Sequence, residues 1–347
     1  MERAVPEVKV LIDGKEIDKS MYSKLLLTNI DLDLSSTDMV KLKFNNSDYD
    51  LQDESSFVVG KSIEVSFGYS QKYTKMLEAE IVKIDFEFNA SSYSSVTVVG
   101  LDKMFRLNKT PKTRTFLKVK DSDIASQIAS EMGLKADVDS TSQTHEYLFQ
   151  HDQSNLDFLK YRASHIGYEV KVEESSLLFK KSRIQDKKES VELKWEENLV
   201  ELVAKQDITK VVTEVEVKGW NQAEKKEVKG VAKGGDEISS ISGSSGIDKM
   251  KKFEKTEAKI FKSMPEISSQ EEAESIAKAI LNSYAIEYSK IQGVAMGEPK
   301  IKLGKLITIK GIGSKISGEY YITACTHIFN ARGYRTLFEA KRNVDKE

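Results

Sequence analysis

The sequence predicts a β-rich α+β fold: two small β-barrel modules, the second with a packed helix, separated by a smaller α+β domain. Three observations carry that prediction. Gly304-Lys305-Leu306-Ile307-Thr308-Ile309-Lys310-Gly311 echoes Gly60-Lys61-Ser62-Ile63-Glu64-Val65-Ser66-Phe67-Gly68, and Phe329-Asn330-Ala331-Arg332-Gly333-Tyr334 echoes Phe88-Asn89-Ala90-Ser91-Ser92-Tyr93. The echoes are collinear, and the glycine-to-phenylalanine gap differs by only three residues, 28 against 25. Short alternating apolar runs fill both regions, whereas the stretch between them has helical spacing.

The first module is expected over residues 1–105. Val8, Val10 and Ile12 alternate up to the hairpin signal Asp13-Gly14. Ile30, Leu32 and Leu34 form the next run, Ser35 to Asp38 the turn, and Val40, Leu42 and Phe44 the run after it. Ile63, Val65 and Phe67 follow. Leu77, Ala79 and Ile81 then hand over to Ile84, Phe86 and Phe88, so the apolar parity flips near Val82-Lys83. A flip inside one long strand is the mark of a β-bulge, and bulges bend strands where a barrel curls. Val96 and Val98 supply the last strand.

Residues 106–190 form the α+β domain. Ile124, Ala125, Ile128, Ala129 and Met132 share a helical face that stops at Gly133; Leu156, Leu159, Ala163 and Ile166 share another that stops at Gly167. Ser154 and Asp157 are spaced as a capping pair. Tyr168–Val172 and Leu177–Phe179 read as strands. The second module is expected over 191–347, with Val211, Thr213, Val215 and Val217 alternating. The small polar run 233–247 reads as a loop within a flexible insertion near 230–266. A capping box from Ser268 to Glu271 opens a helix over 269–290 with Ala273, Ile276, Ala277, Ile280, Tyr284 and Tyr288 facing inward.

The totals exclude some functions. Fifty-three basic and 55 acidic residues leave a net charge of −2, which removes the electrostatic case for a dedicated nucleic-acid or membrane binder. The single Cys325 cannot form an intramolecular disulfide and sits in an apolar run, as a buried small hydrophobe does. No apolar signal region or membrane-length run is present. Synthesis in the cytoplasm is the expectation, with release by lysis or inside a larger particle. Residue patterns nominate no catalytic, cofactor-binding or metal-ligating residue. His145, His151, His165 and His327 lack a metal spacing, and no phosphate loop, GxGxxG after a strand or GxSxG elbow occurs.

One block is more specific. Tyr147-Leu148-Phe149-Gln150-His151-Asp152-Gln153-Ser154-Asn155-Leu156-Asp157-Phe158-Leu159, continuing to Ile166-Gly167-Tyr168, resembles the baseplate hub proteins of contractile-tailed phages (the late control gene D family) and the hub half of VgrG. Asn155 stands where an Asp is common in that family. Gly297-Glu298-Pro299, Gly304, Ile307, Gly311, Gly318 to Ile322, His327, Tyr334, Thr336, Phe338 and Arg342 resemble its ending. The resemblance implies tube-like barrels and a homotrimer, so that three chains present six modules to a hexameric tail tube or tube-initiator protein. It also implies a trimeric spike, with a tape-measure protein and baseplate wedge as further partners, and no membrane insertion. The sequence ends at Glu347 just past the repeat, so the spike is expected on a separate chain. The implied setting is a virion, tailocin or other extracellular tail-like particle, and the implied role is structural rather than enzymatic. Two other readings compete: a tail-associated wall hydrolase, supported only by abundant carboxylates, and a generic β-rich binding protein with an accidental repeat.

Overall fold

Alternation in the first hundred residues builds β1 (Pro6–Ile12), β2 (Lys15–Glu16), β3 (Leu25–Asp33), β4 (Met39–Asn45), β5 (Ser62–Tyr69), β6 (Lys72–Glu87) and β7 (Ser95–Leu101). The computed structural model describes residues 5–182, 184, 190–222, 224–238, 243–253, 258–264, 267 and 269–345. Asp13 and Gly14 turn β1 into β2 with φ of 49° and 73°, the left-handed geometry such a hairpin needs. Helix α1 (Lys19–Lys24) is capped by Asp18, which accepts from the Met21 N–H at 2.8 Å. The strands pair in the order β1-β5-β6-β7-β4-β3, every ladder antiparallel. Register slips between Ile81 and Lys83, so the parity flip at Val82 is a bulge.

The middle of the chain forms α2 (Met104–Leu107), β8 (Lys112–Lys120), α3 (Asp121–Glu131), β9 (Lys135–Val138), β10 (Thr144–Gln153), α4 (Asn155–Ile166), β11 (Tyr168–Glu173) and β12 (Ser176–Lys181). Ser154 caps α4: its Oγ accepts from Asp157 N at 3.0 Å and donates to the Asp157 carboxylate at 2.7 Å. Gly167, at φ 67°, ends it in the left-handed conformation that glycine adopts without a Cβ penalty. The predicted helical faces bury together: Ile124, Ile128, Leu156 and Leu159 meet Val170, Leu177 and Phe179 in a core of their own.

The remainder forms β13 (Ser190–Lys194), β14 (Leu199–Gln206), β15 (Glu214–Asn221), β16 (Lys226–Lys233), β17 (Ser244–Ser245), α5 (Gly246–Phe253), β18 (Lys259–Ser263), α6 (Gln270–Ala285), β19 (Ser289–Met296), β20 (Leu306–Lys310), β21 (Gly318–Asn330), β22 (Gly333–Arg342) and β23 (Val344–Asp345). Helix α6 differs from expectation in four ways. Ser268 lies outside the described residues; the cap is Ser269, whose Oγ accepts from Glu272 N. The α-helix stops at Ala285, passes through one 3₁₀ turn (Ile286–Tyr288) and becomes strand at Ser289. Its inward stripe runs to Leu281 and Ala285, leaving Ile280 and Tyr284 half-buried. It also packs elsewhere than on the large sheet. Val215, Val217, Val228 and Ala232 of the small sheet β16-β15-β18 cover Ala273, Ile276, Ala277 and Leu281. Gly230 sets that distance, because a Cβ there would meet the Ala273 backbone at 2.0 Å. Of the polar run 233–247, residues 239–242 lie outside the described residues; Lys233 ends β16, Ser244-Ser245 pair with Val344-Asp345, and α5 begins at Gly246.

The strands outside that small sheet repeat the first unit. They pair in the order β13-β20-β21-β22-β19-β14, matching β1-β5-β6-β7-β4-β3. Register makes the match residue by residue. Ser62 opposes Glu80 as Leu306 opposes Tyr321, and the slip between Ile322 and Ala324 falls where that between Ile81 and Lys83 does. A second slip, between Leu25 and Leu27, recurs between Leu199 and Glu201. After the edge strand, Asp33 accepts from Ser35 N and Oγ, and Asp207 from Thr209 N and Oγ1. The three-residue difference in the echo lies wholly in the first hairpin, since Glu80 precedes Phe88 by as many residues as Tyr321 precedes Phe329. Two details break the symmetry. β13 runs parallel to β20 where β1 is antiparallel to β5. Glu87 opposes Ser95 and Ile328 opposes Arg335, so Tyr334 corresponds to Ser94 rather than to Tyr93.

The two-barrel expectation resolves here into two six-stranded units of one open sheet. No hydrogen-bonded closure of either unit occurs among the described residues; eleven strands join along a path from β14 to β2, and β20 with β13 branches from it at β21. One apolar cluster serves both halves, from Val10 and Phe67 to Ile309, Tyr334 and Phe338.

Candidate functional site

The feature that sets this molecule apart is the seam where its two units meet. β21 is 13 residues long, enough to hold β20 beside its first residues and β3 beside its last. The β3–β21 ladder is antiparallel and runs from Ala324 opposite Asp33 to Asn330 opposite Leu27. Leu34 N–H extends it to Thr323 O at 3.1 Å, and Thr326 Oγ1 donates to Asp31 Oδ1 at 2.8 Å. Backbone pairing joins the units, so register rather than side-chain shape alone fixes their relation.

Beneath the seam the side chains are buried. His327 is fully buried; Nε2 lies 2.9 Å from the Ile301 carbonyl, so it carries the proton and donates. Nδ1 is then the acceptor for Tyr334 Oη at 2.7 Å and Thr336 Oγ1 at 3.2 Å. Phe67 of the first unit stacks on Tyr334 with centroids 4.6 Å apart, and Tyr69 Oη donates to Gly297 O at 2.6 Å. A neutral imidazole satisfies all its partners, and burial holds His327 at about 4.

The other histidines are scattered. His151 is exposed with its ring 5.3 Å from Phe149, and His165 packs edge-on to Tyr161 at 4.3 Å. His145 belongs to a buried ionic cluster. Its Nε2 is 3.0 Å from Asp121 Oδ2 and its Nδ1 3.4 Å from Glu272 Oε1, which ties the α+β domain to α6. Arg162 Nε and Nη2 grip both Asp121 oxygens at 2.6 and 3.2 Å. Burial pushes the Asp121 carboxyl up, but the bonds from His145 and Arg162 outweigh it and bring it to about 2. The adjoining cleft, about 420 Å³, is lined by these residues with Glu271 and Ser275. Both nitrogens of His145 face carboxylates, so the ring bridges Asp121 of the α+β domain and Glu272 beside the start of α6. Cys325 is buried, and burial pushes its thiol far up. Among the described residues no group of three or more His, Cys, Asp or Glu is placed to hold a metal ion.

A second buried cluster anchors the same domain to the first unit. Lys171 Nζ reaches Asp38 Oδ1 and Asp33 O, both at 2.6 Å, while Asp102 Oδ2 has no hydrogen-bond partner. Burial, aided by the Asp38 charge, raises Asp102 to about 7. These groups oppose one another in acid. His165, lowered by burial and the Arg162 charge, and His327 are both held at about 4 against 6.5 unfolded. Between those values the unfolded chain takes up protons that the folded chain refuses, so stability falls as pH drops, by up to about 3 kcal/mol per histidine. Asp102 does the reverse, because the folded chain binds its proton from pH 7 down to the unfolded 3.8. The loss from the two histidines and the gain from Asp102 therefore oppose each other in the slope of stability against pH. Urea unfolding at several pH values measures it. Asp102→Asn removes the opposing group and steepens the slope; a flatter slope in that variant would refute the assignment.

The family model described as the Alg8 N-terminal domain matches residues 2–330. The chain belongs to that family. No curated protein matches it in sequence. Its fold is that of phage tail proteins. The 43 kDa tail protein of prophage MuSo2 from Shewanella oneidensis superposes with a TM-score of 0.72 at 12% identity, covering 97% of this chain and 98% of that one. A tail protein from Neisseria meningitidis gives 0.73 at 13%, covering 97% of both chains. The E. coli c3393 protein, described as a component of the type VI secretion system similar to T4 tail proteins gp27 and gp5, gives 0.60 at 12%, covering 93% of this chain and 74% of that one. At these identities the likeness is one of fold, and it falls on the tail and secretion-spike proteins that the sequence resembles. Among the described residues no helix is long and apolar enough to cross a membrane.

The ionic cluster of Asp121, His145, Arg162 and Glu272 escaped sequence reasoning, since its members lie far apart and share no spacing. The seam left one legible trace, the parity flip at Val82, whose counterpart at Thr323 marks where β21 leaves β20 for β3.

Proposed function

We propose that this chain is the structural baseplate hub of a contractile injection machine, a phage tail, tailocin or related particle. Three copies form a ring that adapts a six-fold tail tube to a three-fold spike carried on a separate chain. The observation that carries this reading is the doubled six-stranded unit, with strand order and both bulges repeated, in a fold shared with tail proteins. A duplicated unit is what a three-fold body needs to present six similar faces, and heterologous contacts of this kind close into rings. In this reading residues 1–105 and 191–347 supply the two tube-like modules, and 106–190 makes them unequal. The direct partners are the hexameric tube or tube initiator and the trimeric spike, with tape-measure protein and baseplate wedge beyond them. The role is mechanical, not enzymatic.

Sedimentation of the purified chain, alone and with the tube and spike proteins, tests the proposal. A trimer that binds both, visible at the tube–spike junction in particle images, is expected. A chain that stays monomeric in their presence and is absent from the particle would overturn it.

A further inference from the structure

The seam inside the chain has a mirror that is left open. In the second unit, β3 covers β21 from Ala324 to Asn330; the equivalent stretch runs from Lys83 to the end of β6 at Glu87 and on through Phe88 and Asn89, and among the described residues its strand part has β7 on one side and no strand on the other. In the first unit β3 is the strand that reaches out; among the described residues its equivalent, β14, pairs with β19 alone apart from an isolated bridge at Leu199. Exposure records the difference. His327 is fully buried, whereas its counterpart Phe86 is 41% exposed, and Phe88, counterpart of half-buried Phe329, is 62% exposed. On the other side Ile30 is fully buried while its counterpart Ala204 is exposed.

Transferring the internal register predicts the missing contact. Thr326 opposite Asp31 becomes Asp85 opposite Lys205, and Ala324 opposite Asp33 becomes Lys83 opposite Asp207. Both are pairs of opposite charge, and Phe86 and Phe88 fall opposite Ala204 and Leu202. Lys83 and Asp85, now paired with each other at 2.6 Å, would exchange partners across the joint. We infer that β14 of one copy adds antiparallel to the Lys83–Glu87 edge of β6, continuing past Phe88, in a second copy of this chain, in the register of the β3–β21 seam. A bare edge with two exposed phenylalanines is an aggregation hazard unless something of fixed register covers it, and strand addition does so. The occupant is this same chain because the charge pattern and the apolar pair on β14 answer those on β6. Each added copy again presents one free β14 and one free β6 edge, so a single contact repeats until the ring closes.

This inference rests on the reading of the chain as a self-associating hub and is tested apart from it. Asp85→Cys with Lys205→Cys in the same full-length chain should form intermolecular disulfides under mild oxidation, since directly opposed residues have Cα atoms at bridging distance. The native Cys325 is buried and does not compete. Asp85→Cys with Ala204→Cys points the thiols to opposite faces and should not link. Asp85→Lys alone should weaken self-association roughly tenfold, and adding Lys205→Asp to that chain should restore it. A wild-type chain that trimerises while the first cysteine pair stays unlinked, or while Lys205→Asp deepens the loss, overturns this register and leaves the hub reading standing. A wild-type chain that stays monomeric with tube and spike proteins present overturns both.

Discussion

Arg162→Met is expected to destabilise the chain by roughly 3–5 kcal/mol. Asp121 is 1% exposed, and Arg162 bonds both its oxygens; without the guanidinium a buried carboxylate keeps only the ring of His145. The variant's unfolding should also respond differently to acid. The folded Asp121 sits at about 2 against 3.8 unfolded, so its contribution is present above 3.8 and is lost as pH falls towards 2. With Arg162 gone that loss moves to higher pH. Arg162→Lys keeps a charge but loses the planar fork, and should recover only part of the stability. Equilibrium denaturation of the two variants decides the matter, and a loss under about 1 kcal/mol for Arg162→Met would exclude the cluster as the domain's anchor.

Phe67→Ala should cost about 3–5 kcal/mol by removing a fully buried ring from the joint between the units. Phe67 touches the second unit at Tyr334 and Phe329, with centroids 4.6 and 6.3 Å away. Because β5 is longer than β20, no second-unit residue repeats it: Gly311 stands at its place. The cavity should therefore loosen the β3–β21 pairing before the outer strands. Hydrogen exchange of the Ala324–Asn330 amides is the measurement. Unchanged protection there, with the global loss intact, would mean that the seam is held by its ladder rather than by the ring beneath it.

Much of this architecture was legible before folding. Val8 to Ile12, Val40 to Phe44 and Ile63 to Phe67 alternate because one face of each strand is buried, and all three appear as strands. Asp13-Gly14, Gly133 and Gly167 mark turns and helix ends by backbone geometry that few other residues tolerate. The bulge at Val82 was readable because a one-residue slip turns every following side chain to the other face. Where reading failed, the cause was a partner distant in sequence. The Ile280 and Tyr284 positions look inward on periodicity, yet the core shared with β15 and β16 takes Leu281 and Ala285 and leaves Ile280 and Tyr284 half-buried. Tyr93 and Tyr334 align in sequence, but the β6–β7 connection carries one more residue than β21–β22, and Tyr93 is 52% exposed where Tyr334 is 6% exposed. Nothing in the spacing of Asp121, His145, Arg162 and Glu272 brings them together.

By itself the sequence determined the local alphabet of this protein: strand periods, turns, caps, the bulge and the fact of a repeat, each written within a few neighbouring residues. Tertiary structure alone decided how the two copies are joined. Whether an edge strand closes its own unit or crosses to the other depends on backbone groups hundreds of residues apart, which every residue supplies alike. The same physics that made the echo visible therefore left its seam, and the open edge that mirrors it, to be found in three dimensions.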